Sequence, residues 1–116
     1  MEKMIFAADA LAGQVALVTG ASRGIGAAVM EAFMKAGAYV VGTATSEAGA
    51  QKITERAEAL GGSGKGIVLN VCDAAASQKA VTDIVKEKGR IDILVNNAGI
   101  TKDDLVLRMK DDAWED

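Results

Sequence analysis

Four short apolar runs recur along the chain at nearly equal intervals, and a pattern of helical period fills each interval. The runs read as strands over Gln14–Val18, Tyr39–Thr43, Gly66–Val71 and Ile91–Asn96. Counted from positions 15, 39, 66 and 91, they begin 24, 27 and 25 residues apart, the length of one strand-helix unit. A repeat in the twenties also suits a leucine-rich solenoid, but the L-x-x-L-x-L signature of that fold is missing. Strands that alternate with helices run parallel, joined by right-handed crossovers that place helices on both faces of the sheet. With 116 residues the chain holds one α/β domain. An eight-stranded α/β barrel, at roughly 250 residues, is excluded.

The helical intervals carry their own punctuation. In the first, Ile25, Val29, Phe33 and Ala36 share a face that stops at Gly37, a residue suited to the left-handed turn after a helix. The second, Ala48–Leu60, buries Ile53, Ala57 and Leu60 and ends at Gly61-Gly62. The third, Ser77–Lys88, starts on a serine cap and turns Val81, Ile84 and Val85 inward. It ends at Gly89, with Lys86 and Lys88 near the negative end of the helix dipole. Residues 1–13 read as an N-terminal extension, and 14–116 as the domain.

Between the first strand and first helix lies Thr19-Gly20-Ala21-Ser22-Arg23-Gly24-Ile25-Gly26. Gly20 lets the chain reverse tightly, Gly24 lets backbone approach a diphosphate, and Gly26 lets the helix pack close to the sheet. A helix start presents unpaired N–H groups and a positive dipole end, which favour an anion. The spacing G-x-x-x-G-x-G departs from G-x-G-x-x-G, and the Gly-Lys-Ser/Thr ending of a P-loop is absent. Glycines that serve only a turn are the alternative. A ligand-binding turn belongs where the strand order reverses, so the expected architecture is a Rossmann-type doubly wound sheet with strand order 3-2-1-4.

What the chain lacks excludes several chemistries. Thirteen basic residues against sixteen acidic ones give a net charge of −3, which leaves no basic field for a nucleic acid. Without a histidine, neither a Ser-His-Asp triad nor a histidine-containing metal site can form. Cys72 is the only cysteine, so no internal disulfide exists, and it reads as a small buried hydrophobe. Asp103, Asp104, Asp111, Asp112, Glu115 and Asp116 cluster near the end, yet Asp111 and Asp112 fit a helix start better than a metal site. No apolar run reaches the roughly 18 residues of a membrane span, and Met4–Ala8 is too short for a signal-peptide core. A cytoplasmic protein is expected.

The glycine turn together with Asn96-Asn97-Ala98-Gly99 resembles the short-chain dehydrogenase/reductase family. Within it, Gly42-Thr43-Ala44-Thr45-Ser46-Glu47 and the stretch from Asn97 to Lys110 look like the branch that reduces 3-oxoacyl thioesters on acyl carrier protein in fatty acid synthesis. The likeness covers residues 14–116. It implies that Gly20, Ala21, Ser22, Arg23, Gly24, Ile25 and Gly26 serve the cofactor phosphates and ribose. Asn70 and Val71 would lie by the adenine, and Asn97, Ala98 and Gly99 by the nicotinamide ribose. An NAD site places an acid near the end of the second strand, whereas Thr43, Ala44, Thr45 and Ser46 are neutral and Arg23 faces them, so NADP is the expected cofactor. A homo-oligomer is implied for the complete protein.

The family's proton donor is a tyrosine in a Y-x-x-x-K arrangement, which this chain does not contain. Tyr39 is the only tyrosine, and four residues on stands Thr43. The chain therefore reads as a reductase truncated after strand 4, with no catalytic residue of its own and strand 4 left as an apolar sheet edge. An acetoacetyl-CoA reductase and a non-catalytic dinucleotide-binding module are the alternative readings.

Overall fold

The computed structural model describes residues 10–97 and the backbone of Val106–Arg108. Within them the order is β1 (Val15–Val18), α1 (Gly24–Lys35), β2 (Tyr39–Ala44), α2 (Glu47–Ala59), β3 (Gly64–Val68), α3 (Ala74–Lys88), β4 (Ile93–Asn96) and β5 (Val106–Arg108). One sheet runs β3-β2-β1-β4-β5, and its first four strands are parallel in the anticipated order. β1 lies at the centre, pairing Val15 with Tyr39 on one side and Ala16 with Ile93 on the other.

The expectation of an open edge at β4 is corrected. β5 pairs with it antiparallel, setting Leu94 opposite Arg108 and Asn96 opposite Val106. A three-residue run among charged neighbours carries no strand signal of its own. It becomes a strand because β4 offers an unpaired row of N–H and C=O groups. The helix start expected at Asp111 and Asp112 lies outside the described residues.

Alternation along the strands builds two cores. Ala16, Val18, Val40, Ile93 and Val95 face α1 and α2, where Val29, Met30, Phe33, Met34, Ile53 and Ala57 close the larger core. Val15, Leu17, Val41 and Ile91 face the other way and gather around Ile84 of α3. α2 lies so near β3 that a Cβ at Gly66 would stand 2.2 Å from the Ala50 carbonyl oxygen. Pairing with β2 starts β3 at Gly64, two residues earlier than the apolar pattern suggests, and ends it at Val68, with Leu69, Asn70 and Val71 forming the loop beyond it.

Three helix details also differ from the sequence reading. α3 starts at Ala74 because the Asp73 carboxylate, not Ser77, caps it by accepting from the Ala76 N–H at 3.0 Å. Val85 and Leu60 are partly exposed, at the margins of their helix faces. Ile25 is 61% exposed, while Gly26 and Ala27 of the same first turn of α1 are buried.

Residues ahead of β1 are tied to the domain. The Leu11 N–H donates to the Ala36 carbonyl at 2.8 Å, and the Leu11 side chain packs on the larger core. At the same end Asp92 clamps β4 to β1. Its N–H donates to the Val15 carbonyl at 2.8 Å, and its carboxylate accepts from the Val15 N–H at 2.9 Å and from the Arg90 guanidinium. Burial opposes its charge, but the hydrogen bonds from Arg90 and Val15 outweigh it and hold the carboxyl below the usual range. Among the described residues no helix is long and apolar enough to cross a membrane.

Candidate functional site

The chain leaves β1 through Thr19 and turns sharply at Gly20, whose φ of +66° only glycine adopts readily. Two hydrogen bonds lock the Gly20 peptide groups. Its N–H donates to Thr43 Oγ1 at 3.2 Å, and its carbonyl accepts from Asn97 Nδ2 at 3.1 Å. The next amide, that of Ala21, donates to the Thr43 carbonyl at 2.8 Å. On the β4 side the Asn97 N–H donates to Thr19 Oγ1 at 2.9 Å. The turn is therefore held between the carboxyl ends of β2 and β4.

This fixes how α1 begins. Arg23 occupies its N-cap in extended conformation and makes no side-chain capping bond, and no acidic residue stands in the first turn. The first N–H groups of α1 have no intrahelical acceptor, so they and the positive dipole end remain available to an anion. Space exists for one, since a Cβ at Gly24 would meet nothing within 4 Å. At Gly26 the opposite holds. A Cβ there would stand 2.1 Å from the Gly20 carbonyl oxygen and 2.8 Å from Asn97 Nδ2.

Above the carboxyl ends of the strands lies a cleft of about 570 Å³, a size common for small-molecule sites. Most of the residues singled out in the sequence meet there. Gly20, Ser22, Arg23, Gly24 and Ile25 form one wall, Thr45, Asn70 and Val71 another, and Asn97 closes the β4 side. Two do not line it. Ala21 is 2% exposed and packs into the larger core, and Gly26 is buried behind the turn. Ala98 and Gly99 lie outside the described residues.

The structure adds Thr43, Ala44, Leu69 and Cys72 to the lining. Cys72 is exposed there, not buried as its residue type suggests. Thr19 and Thr43, 5% and 1% exposed, are the buried polar residues that hold the turn. Their one visible signal is a hydroxyl at the carboxyl end of an otherwise apolar strand. Among the described residues Arg23 is the only charged one lining the cleft. Glu47, the first acid after β2, lies in the first turn of α2 and faces a different surface groove. Asn70 is committed in part to its own loop, its Oδ1 accepting from the Cys72 N–H at 3.0 Å. Among the described residues no cluster of acids, cysteines or histidines fits a metal ion.

A glycine turn, an uncapped helix N-terminus and a cleft at the point where the strand order reverses define a nucleotide-binding α/β protein of the doubly wound kind. The chain belongs to the short chain dehydrogenase family, whose description matches residues 14–116. It is 56% identical over 104 residues to a 3-oxoacyl-[acyl-carrier-protein] reductase of Salmonella typhimurium, covering 90% of this chain and 41% of that protein. A protein of the same name from Vibrio harveyi is 57% identical over 106 residues, covering 91% and 42%. The Pseudomonas aeruginosa counterpart is 51% identical over 106 residues, covering 91% and 43%. The chain thus spans about two-fifths of the length of these curated relatives.

Proposed function

We propose that this chain forms the adenosine and diphosphate side of an NADPH-dependent reductase that acts on 3-oxoacyl thioesters carried by acyl carrier protein. The observation that carries the cofactor assignment is the charge of the cleft: among the described residues Arg23 is its one charged lining residue, and no carboxylate faces it from β2. An NAD site needs an acceptor for the ribose 2′-hydroxyl there, and that same carboxylate would repel a 2′-phosphate. The substrate assignment is supported by the relatives at 51–57% identity, which are 3-oxoacyl-[acyl-carrier-protein] reductases by name.

In this reading the N–H groups opening α1 bind the diphosphate, with Gly24 admitting it at close range. Arg23 and Thr45 meet the 2′-phosphate, Asn70 and Val71 border the adenine, and Asn97 with Ala98 and Gly99 borders the nicotinamide ribose. Ala21 and Gly26 contribute by shape, one anchoring the turn in the core and the other letting α1 stand against it. A reduced nicotinamide supplies a hydride when bound. Carbonyl reduction also needs a proton donor, and Tyr39 is not placed to be one. It begins β2, at the end of the sheet opposite the cleft, and burial, the largest influence on it, raises its phenol further above neutrality.

The test follows NADPH absorbance with an acetoacetyl thioester, for the complete protein and for these 116 residues alone. Oxidation with NADPH well ahead of NADH is expected for the complete protein, and none for the chain by itself. A complete protein that prefers NADH, or that leaves the thioester unreduced, refutes the proposal.

A further inference from the structure

We propose that Thr43 is a positioning residue for the cofactor diphosphate, acting through the peptide groups of the glycine turn and not through contact with the reacting atoms. The inference rests on the dinucleotide reading above and assigns a cause to the shape of that site. Thr43 is the last residue but one of β2, it is 1% exposed, and it grips the turn at two successive amides. Its hydroxyl accepts from the Gly20 N–H at 3.2 Å, and its carbonyl accepts from the Ala21 N–H at 2.8 Å.

Both bonds commit amides of the turn to β2. The peptides that follow, from Ser22 onward, are the ones delivered to the mouth of α1, and that helix carries no side-chain cap of its own. The direction in which those N–H groups point is therefore set upstream, at the Gly20 peptide. The carbonyl bond of Thr43 is available to any residue at that position, and only the hydroxyl bond depends on the side chain. Asn97 holds the opposite side of the same glycine through its carbonyl, so without the hydroxyl the turn is tethered to β4 but loose on β2.

Thr43→Val preserves shape and leaves the Gly20 N–H without its acceptor, while Thr43→Ser keeps the hydroxyl. A buried donor without a partner is unfavourable, and the amide will rotate or draw in water to relieve this. The N–H array of α1 shifts with it.

The experiment measures binding of NADPH and of adenosine 2′-monophosphate, which lacks the diphosphate, to the complete protein in wild-type, T43V and T43S forms. T43V is expected to bind NADPH roughly tenfold more weakly, a loss within the range for one unsatisfied buried hydrogen bond. It should bind the monophosphate within about twofold of wild type, and T43S should restore NADPH binding. If T43V does not fold, Thr43→Cys replaces it: the thiol is a weak acceptor, and NADPH affinity below that of T43S is expected. Equal NADPH affinity of T43V and wild type overturns the proposal, as does an equal loss for both ligands or a T43C protein that matches T43S. A folded wild type that binds no NADPH overturns the dinucleotide reading itself.

Discussion

Replacing Gly26 with alanine tests the closest contact in the site. The added methyl carbon would stand 2.1 Å from the Gly20 carbonyl oxygen, whereas ordinary contact begins near 3.4 Å, so the helix or the turn must retreat by more than an ångström. That neighbour is backbone, so no flexible side-chain end can yield in its place. Overpacking of this kind costs about 1–3 kcal/mol. Retreat of the carbonyl also breaks its bond from Asn97 Nδ2, about 1 kcal/mol more. Against both stands the helical preference of alanine over glycine, up to about 1 kcal/mol. The net loss is about 2 kcal/mol, which in a domain near 100 residues lowers Tm by roughly 8–16 °C. Thermal and urea unfolding of Gly26→Ala beside wild type measure it. Gly24→Ala is the control, because its φ of +64° strains an alanine but nothing lies within 4 Å of the new atom. It should lose stability without displacing Gly20 or Asn97. Unfolding of Gly26→Ala within 0.5 kcal/mol of wild type, with unchanged NADPH affinity, would refute the steric reasoning.

Arg23→Ala removes the only charge that the described residues bring to the cleft and should weaken NADPH about tenfold while leaving NADH nearly unchanged, as a lost charge-assisted contact predicts. Fluorescence titration of both cofactors decides it, and a parallel loss for the two would count against a 2′-phosphate site. Asp92 has its carboxyl held below the usual range in the folded state, so its contribution is present above the unfolded carboxylate pKa and is lost as pH falls through the folded one. Asp92→Asn should therefore lower stability by about 1 kcal/mol at neutral pH and flatten the acid side of the stability curve; an unchanged acid limb in urea melts would contradict this. Asp73→Ala removes the cap of α3 and should destabilise by about 1 kcal/mol, whereas Ser77→Ala should have little effect. Equal melting temperatures of the two variants would return the cap to Ser77.

Much of this architecture is legible in the sequence because it follows from period and punctuation. Apolar runs of strand length separated by helical patterns dictate a parallel sheet, and the glycines between Val18 and Ala27 dictate where a ligand approaches it. What escapes is decided by partners distant in the chain. Nothing local distinguishes Thr43 from any strand threonine until Gly20 is folded against it. Gly64-Lys65 reads as loop, and it becomes strand because it pairs with β2, Gly64 opposite Val40 and Lys65 opposite Val41. Ile25 completes a helical stripe with Val29 and Phe33 on paper, but in the fold it lines the cleft, and Gly26 and Ala27 take the buried side of that first turn. Asp73 and Ser77 are both competent caps, and the choice between them falls to where the chain leaves β3.

The two walls of the cleft have different histories during folding. β1 meets β2 across 24 positions, Val15 opposite Tyr39, whereas the bond between Thr19 and Asn97 joins residues 78 apart. By the logarithmic dependence of loop closure, the longer closure costs about 1 kcal/mol more. The β1–β2–β3 unit can therefore assemble from near neighbours, and the β4 wall arrives as the later, non-local event. Contacts made late are the first to be lost on unfolding, so a ligand that spans Gly20 and Asn97 acts on the latch between the two parts. Its kinetic signature is a slower unfolding rate with little change in the refolding rate.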